Sequence, residues 1–448
     1  MVDSADTSDS DSASAVSRSP WAEPSVTVAL AVLVGLVCGA SSALFLELLE
    51  LATKTRLAHE WLVYLLPLAG LVVGLVYERF GKPVQDGVNL VLDRVHEGGA
   101  EIPARMAPMV LVGTVLTHLF GGSAGREGTA VQMGASLADF VAHRFRVSPK
   151  VRKKLVIAGI SGGFGAVFGT PIAGAVFGLE VLMVGRMDVD ALVPAMVAAL
   201  VGDLTTRSLG VSHTHYPQVP ELSLGPLVMG KWLVFAACIA LVTTAFVELL
   251  HALKSRGKKR LPRLPVRMFV GGVVVVVAWK AIGTSDFLGL GVPLLVRAFD
   301  DPNLPVYLFA AKLVFTAVTL GAGFLGGEVT PLFVVGATLG AVLARALGLP
   351  IGLGAAVGMA GVFAAASNAP LALAIMATEL CGAHVFVHAA LVCVVATLLT
   401  GHRGIYPAQR VFAKKGGGLL SVPRALRDFR DSRDSRDNRD NRDKDGRG

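Results

Sequence analysis

Charge is scarce in this chain. Only 17% of its 448 residues are Asp, Glu, Lys or Arg, against roughly 25% in soluble domains. What charge there is crowds into the two ends and a few short segments. A soluble fold would then be a large core with almost no polar surface, and the composition excludes it. Cysteine is also sparse: Cys38, Cys238, Cys381 and Cys393 all lie in apolar runs, with neither metal-ligand spacing nor a disulfide framework. No His-Glu-x-x-His zinc motif is present, and Ser161 has no assignable base, which argues against an intramembrane protease. The run Gly159–Gly165 has a glycine pattern like a nucleotide loop, but no strand precedes it and no Lys-Ser/Thr follows. No cofactor is expected. Residues 1–25 lack the basic start and apolar core of a cleavable leader and read as a Ser/Asp-rich disordered tail.

Hydrophobic residues make up 53% of the chain, and mean hydropathy is +0.63. Apolar segments near the roughly 20 residues of one membrane crossing follow one another from residue 26 to 412. The expected fold is an all-α polytopic membrane protein. Segments 155–184 and 370–400 are too long for one span and contain Pro171 and Pro370, so each is expected to be two pieces. The net charge of +8 does not point to nucleic acid. Arg144, Arg146, Lys150, Arg152, Lys153 and Lys154 form one basic group between apolar runs. Lys254, Arg256, Lys258, Lys259 and Arg260, with Arg263 and Arg267, form another. That is the placement of cytoplasmic loops. From residue 413 to 448 the chain is expected to be a disordered tail, ending in Arg-Asp repeats with Ser or Asn.

The chain resembles itself at a spacing of roughly 200 residues, giving halves of about 26–210 and 225–412. Gly162, Phe164, Ala166, Pro171, Ala173 and Glu180 fall on Gly361, Phe363, Ala365, Pro370, Ala372 and Glu379. Gly121, Gly125, Gly134, Ala135 and Leu137 fall on Gly323, Gly327, Gly336, Ala337 and Leu339. Gly/Ala bias alone would not match the Pro and Glu, nor keep the block order. Repeated halves are common in transporters, whose sites lie where broken helices present their ends to an ion. Helix N-termini carry free N–H groups and partial positive charge, so they suit anions.

Charged groups inside apolar segments cost about 2.5–3.5 kcal/mol at the bilayer centre, so each asks for a role. Glu127 follows the glycine turn Gly121–Gly125 and opens a helix over Thr129–Phe140. Its carboxylate occupies the place an anion prefers. It blocks that place when charged and frees it when protonated, which couples anion to proton movement. The alternative is a glutamate that only complements the helix dipole, worth under about 1 kcal/mol.

With Glu127 goes a longer pattern. The run Gly121–Thr129 with Val131–Gly134, the run Gly163–Gly174, and Gly326-Gly327-Glu328-Val329-Thr330-Pro331 resemble, in that order, motifs of the CLC family of chloride channels and proton/anion antiporters. The resemblance covers about residues 26–412. It implies a CLC-type fold of two inverted-topology repeats and a homodimer with one pore per subunit. It also implies a multi-pass protein of the plasma membrane with both tails cytoplasmic. Glu127 matches the gating glutamate. The anion is expected at Val88, Asn89, Gly125, Arg126, Gly128, Val329, Thr330 and Tyr406, held largely by backbone N–H groups.

Three departures from the family pattern shift the expected anion. Chloride-selective members offer a serine in a Gly-Ser-Gly-Ile-Pro turn; here the stretch is Gly87-Val88-Asn89-Leu90-Val91. The Ile-Phe pair usual before the Thr330-Pro331 position is Glu328-Val329. The inner proton-relay glutamate that often follows the Glu180 position is Val181. Together they resemble the fluoride-exporting branch. The implied function is fluoride/proton antiport, with a chloride/proton antiporter or passive chloride channel as the rival. Fluoride is small and strongly hydrated, so its site must replace many water contacts; Asn89, Thr330 and a protonated Glu127 are candidate donors. Glu328 is expected in a structural or proton-path role, or as a carboxylate capping a helix start. Tyr406, in Gly404-Ile405-Tyr406-Pro407, matches the family's pore tyrosine, with an interfacial aromatic as the alternative. His384 and His388 share a helix face without a third ligand. His118, shortly before the gate, reads as a satisfied bundle histidine or a proton helper.

Overall fold

The computed structural model describes residues 22–97, 100–413, 415 and 419–430. The first half runs through α1 (Ala22–Ala58), α2 (Leu66–Phe80), α3 (Val88–Glu97), α4 (Met106–Leu119), α5 (Glu127–Arg144), α6 (Pro149–Phe168), α7 (Pro171–Glu180) and α8 (Leu192–Ser208). The second half runs through α9 (Pro226–Arg260), α10 (Leu264–Ile282), α11 (Val292–Arg297), α12 (Leu308–Ala322), α13 (Val329–Leu347), α14 (Ile351–Ser367), α15 (Pro370–Cys381) and α16 (Phe386–Thr400). Among the described residues, seven helical stretches are long and apolar enough to cross a membrane, and several others are too short to cross. The chain is a multi-pass, helical membrane protein of broken and complete spans.

Local chemistry sets the breaks. Ser148 caps α6 by accepting from Val151 N–H at 3.4 Å, with Pro149 in the first turn. Gly169 ends the helix at φ 74°, and Pro171 starts α7 at once. The expected break of segment 155–184 therefore falls just before Pro171. In segment 370–400 the break falls elsewhere. Pro370 begins α15, where a missing N–H costs nothing, and the interruption comes at Gly382, φ 110°. The basic residues Lys150–Lys154 lie in the first turns of α6, and Lys254–Arg260 in the last turns of α9, rather than in loops.

Glycine permits the central crossings. A Cβ on Gly159 of α6 would lie 2.3 Å from the Gly134 carbonyl of α5. In the second half a Cβ on Gly358 of α14 would lie 2.3 Å from the Gly336 carbonyl of α13. The two helix pairs are repeat equivalents, and both pack backbone against backbone, as small residues allow in lipid.

The halves also complete each other. Glu379, near the end of α15, accepts from Ile172 N–H (3.0 Å) and Ala173 N–H (2.7 Å) at the start of α7. Glu180, at the end of α7, accepts from Leu371 N–H (3.1 Å) and Ala372 N–H (2.8 Å) at the start of α15. Each helix so caps the other's N-terminus, and the pair runs antiparallel. The free N–H groups of a helix start need such partners in a membrane.

A small sheet extends the helical fold. β1 (Met183–Val184) pairs in parallel with β2 (Arg410–Ala413), which pairs antiparallel with β3 (Leu419–Ala425). This corrects the expectation of a disordered tail from residue 413. Val184, Val411 and Leu426 bury one another, so the chain before the Arg-Asp repeats has its own apolar contacts. At the other end α1 already begins at Ala22, inside the expected tail of residues 1–25. Residues 1–21 and 431–448 of the expected tails lie outside the described residues.

Candidate functional site

The site forms where two glycine turns, one from each half, meet back to back. Gly125 N–H donates to the Gly327 carbonyl at 2.6 Å, and Gly327 N–H returns a bond to the Gly125 carbonyl at 2.8 Å. A Cβ on Gly128 would lie 3.0 Å from Gly327 Cα, so both turns must be bare. Gly125 and Gly327 are repeat equivalents, so the turns face each other across the repeat. The Gly125 N–H, expected as an anion donor, is taken by this bridge.

The bridge delivers α5 and α13 start to start. Glu127 is the first residue of α5 and is fully buried. Its Oε2 accepts from Thr330 N–H and from Arg126 N–H, each at 3.1 Å. Its Oε1 accepts from the Thr330 hydroxyl and lies 3.4 Å from Arg126 Nε. Backbone N–H groups at two helix starts and a hydroxyl thus converge on one carboxylate. Thr129 Oγ1, two residues on, pairs with Thr114 Oγ1 of α4 at 2.7 Å and fixes the helix behind the gate. Val329 opens α13, and Gly128 lies in the first turn of α5, so their backbone N–H groups belong to the same meeting point.

Below this point lies a cavity of about 150 Å³, which includes Val88, Asn89, Tyr406, Glu328, Gln132, Asp86 and Lys254 in its wall. Val88 and Asn89 open α3 and line the cavity. The Asn89 amide is oriented by Ala408 N–H, which donates to its Oδ1 at 3.1 Å. Tyr406 is buried and shares the cavity with Glu328. Glu328 is the N-cap residue of α13, yet its side chain makes no capping bond. Its carboxylate lies 3.7 Å from Lys254 Nζ instead. The capping role considered for Glu328 is therefore absent.

His118, fully buried before the turn that presents Glu127, sets both ring nitrogens against backbone carbonyls. Nδ1 lies 2.8 Å from the Thr114 carbonyl and Nε2 lies 2.9 Å from the Ala124 carbonyl. His388 is buried with Nε2 2.9 Å from the Leu222 carbonyl and Nδ1 without a partner among the described residues, the place of a core histidine. At the place of the missing relay glutamate, the Val181 carbonyl accepts from Gln409 Nε2 at 2.9 Å, while Glu180 points into its cap on α15. Among the described residues no group of three or more His, Cys, Asp or Glu could hold a metal ion.

Sequence reasoning does not reach three residues here, nor one pairing. Thr330 was named, but not as a partner of Glu127. Gln132 Nε2 donates to the Gly128 carbonyl at 3.0 Å and faces the cavity one turn from Glu127; the helical spacing was available. Lys254 was read only as the first of a basic run. Lys312 is fully buried, inside a segment read as plainly apolar.

Two helix starts brought together around a buried carboxylate, inside a multi-pass membrane fold of paired halves, define an ion-transporting membrane protein. The comparisons place it further. Residues 69–401 match the family model of the voltage-gated chloride channels, and the chain belongs to that family. It is 48% identical over 396 residues to a chloride/fluoride channel protein of Pseudomonas syringae pv. tomato, covering 86% of each chain. The crystal structure of a CLC-type fluoride/proton antiporter is similar at TM-score 0.85 and 35% identity, over 88% of this chain and 100% of that one. A slow cyanobacterial chloride/proton antiporter shares the fold at TM-score 0.73 and 18% identity, over 84% of this chain and 94% of that one.

Proposed function

We propose that this chain is a fluoride/proton antiporter that exports fluoride across the plasma membrane. It works as a homodimer with one pore per subunit and with both tails in the cytoplasm. The observation that carries the reading is the Glu127 carboxylate, fully buried and holding the Thr330 hydroxyl and two backbone N–H groups. Charged, it fills the anion's place. Protonated, it loses its claim on those donors, and an anion rising from the Val88–Tyr406 cavity takes them. Its own O–H can then donate to fluoride, a strong acceptor. Each exchange of carboxylate for anion therefore moves a proton. Gly125, Arg126, Gly128, Val329 and Thr330 frame the anion position at the gate; Val88, Asn89 and Tyr406 line the approach. The Glu328–Lys254 pair sits in the same approach and serves the proton or anion path there. The 48% identity to a chloride/fluoride channel protein and the likeness to a fluoride/proton antiporter support this reading.

The test is flux of fluoride and of chloride from reconstituted vesicles, with pH recorded. Fluoride should leave faster than chloride and drive protons inward against their gradient. Equal fluxes of the two anions would leave the chloride rival in place. Fluoride efflux that moves no protons uphill would leave a channel. Glu127→Gln keeps the size of the side chain but removes its proton, and coupled transport should collapse.

A further inference from the structure

α12 passes three levels of the molecule. Leu320, near its end, lines the cavity below the gate. Thr316 and Thr319 hold the gate turn: Thr316 Oγ1 lies 2.9 Å from Ser123 Oγ, and Ser123 N–H donates to Thr319 Oγ1 at 3.1 Å. Lys312, eight residues before Leu320 and so about 12 Å along the helix, lies beyond the turn on the opposite side from the cavity.

At that third level the structure buries positive charge with no acid in salt-bridge contact among the described residues. Lys312 Nζ donates to the Phe287 (3.1 Å) and Gly289 (2.7 Å) carbonyls, two acceptors for three N–H groups. Arg56, at the end of α1, is 6% exposed. Its Nε is sealed from solvent with no acceptor, and among the described residues its side chain makes no ion pair. Glu60 is the acid that faces it, beyond salt-bridge distance, and His118 and Lys312 are its cationic or ring neighbours. Buried guanidinium groups are ordinarily paired, because an uncompensated buried charge is strongly destabilising.

The segment beside Arg56 is shaped for close approach. Gly289 (φ 56°) and Gly291 (φ 79°) both lie in the left-handed region. A Cβ on Gly289 would come 3.2 Å from Arg56 Nη2 and 3.8 Å from His118 Cδ2. A Cβ on Gly291 would come 3.1 Å from Lys312 Nζ. The same Gly289 donates its N–H to the Gly122 carbonyl of the gate turn at 3.2 Å. The unpartnered cation is thus tied, through one residue, to the turn that presents Glu127.

We propose that Arg56 and Lys312 form a binding site for a small inorganic monovalent anion, beside the turn that presents Glu127. The guanidinium supplies donors that nothing in the protein uses, and Lys312 adds charge and a spare N–H beside them. Its occupant as fluoride rests on the antiport reading above. The site itself does not.

The experiment counts fluoride bound per chain by isothermal titration of the purified full chain with sodium fluoride. Arg56→Gln should bind one ion fewer than the native protein, and Arg56→Lys should keep that ion with several-fold weaker affinity. The same number of ions at the same affinity in Arg56→Gln overturns the proposal. If Arg56→Gln does not fold, Arg56→Lys decides alone: weaker binding supports the site, and unchanged binding overturns it. Flux separates the two readings. Native protein that transports no fluoride defeats the antiport function, while the ion count still tests Arg56.

Discussion

Replacing Thr330 by Val keeps the side chain's shape and removes one hydroxyl. That hydroxyl donates to Glu127 Oε1 in a site with no exposure to water, while Thr330 N–H and Arg126 N–H hold the other oxygen at 3.1 Å each. A hydrogen bond to a charged group contributes about 1.5–3 kcal/mol. The open state, with the carboxylate released and an anion in its place, loses less, because a small ion can settle on the remaining backbone donors. Thr330→Val should thus raise the open population relative to the closed one by up to roughly 10- to 100-fold, the limit where the open state loses nothing, at about 1.4 kcal/mol per tenfold. In vesicles under a fluoride gradient with pH recorded, anion efflux should persist while protons moved per fluoride fall. Thr330→Ser restores the hydroxyl and should restore the ratio. An unchanged ratio in Thr330→Val would refute the argument, since it would mean that the hydroxyl does not hold the gate.

Asp139 is almost fully buried and accepts from Arg152 Nε at 2.5 Å and from Ile102 N–H at 2.7 Å. Asp139→Ala leaves that arginine unpaired and should cost about 3–5 kcal/mol, read as an earlier thermal unfolding in detergent; an unshifted midpoint would contradict it. Gly159→Val drives a side chain into the Gly134 carbonyl, 2.3 Å from its Cβ. At about 1–3 kcal/mol or more, the variant should give little monodisperse protein on size exclusion, while Gly230→Ala, with nothing within 4 Å, should match the native chain. Lys415, outside the spans, donates to the Thr397 and Gly401 carbonyls at 2.7 Å, and burial pushes its ammonium from 10.5 down to about 7. The unfolded segment therefore holds more protons than the folded one between those values, and local stability should fall as pH drops from about 10.5 to about 7, then level off. Hydrogen exchange of β2 and β3, corrected for its intrinsic pH dependence, should be slower at pH near 9 than near 7; no difference would count against it.

How much of this was legible beforehand follows from sequence distance. The gate turn is a contiguous run, so Gly125, Arg126 and Glu127 could be read as a unit. The duplicated glycines could be read because the repeat keeps their order. The bond from Thr330 to Glu127 spans 203 positions, and no local pattern states it. Asn89 illustrates the limit of composition: it has donors for an anion, but its orientation is set by Ala408, far away in sequence. The hairpin of β2 and β3 was hidden because low-complexity residues follow it and its partner, Met183–Val184, is a two-residue strand just after α7 in the first half. Arg56 and Lys312 looked ordinary for opposite reasons. One closes an apolar run as many arginines do, and the other sits singly within one.

The crossed caps of α7 and α15 bear on how the chain is made. The ribosome delivers α7 long before Glu379 exists. Until then the amides of Ile172 and Ala173 have no carboxylate to meet in the membrane, and α7 cannot settle in its final place. The N-terminus of α7 therefore gains its cap only after about 200 further residues have been inserted. A chain that stops short of Glu379 should be recognised by quality control as unfinished, even with its gate motif and first eight helices already in place.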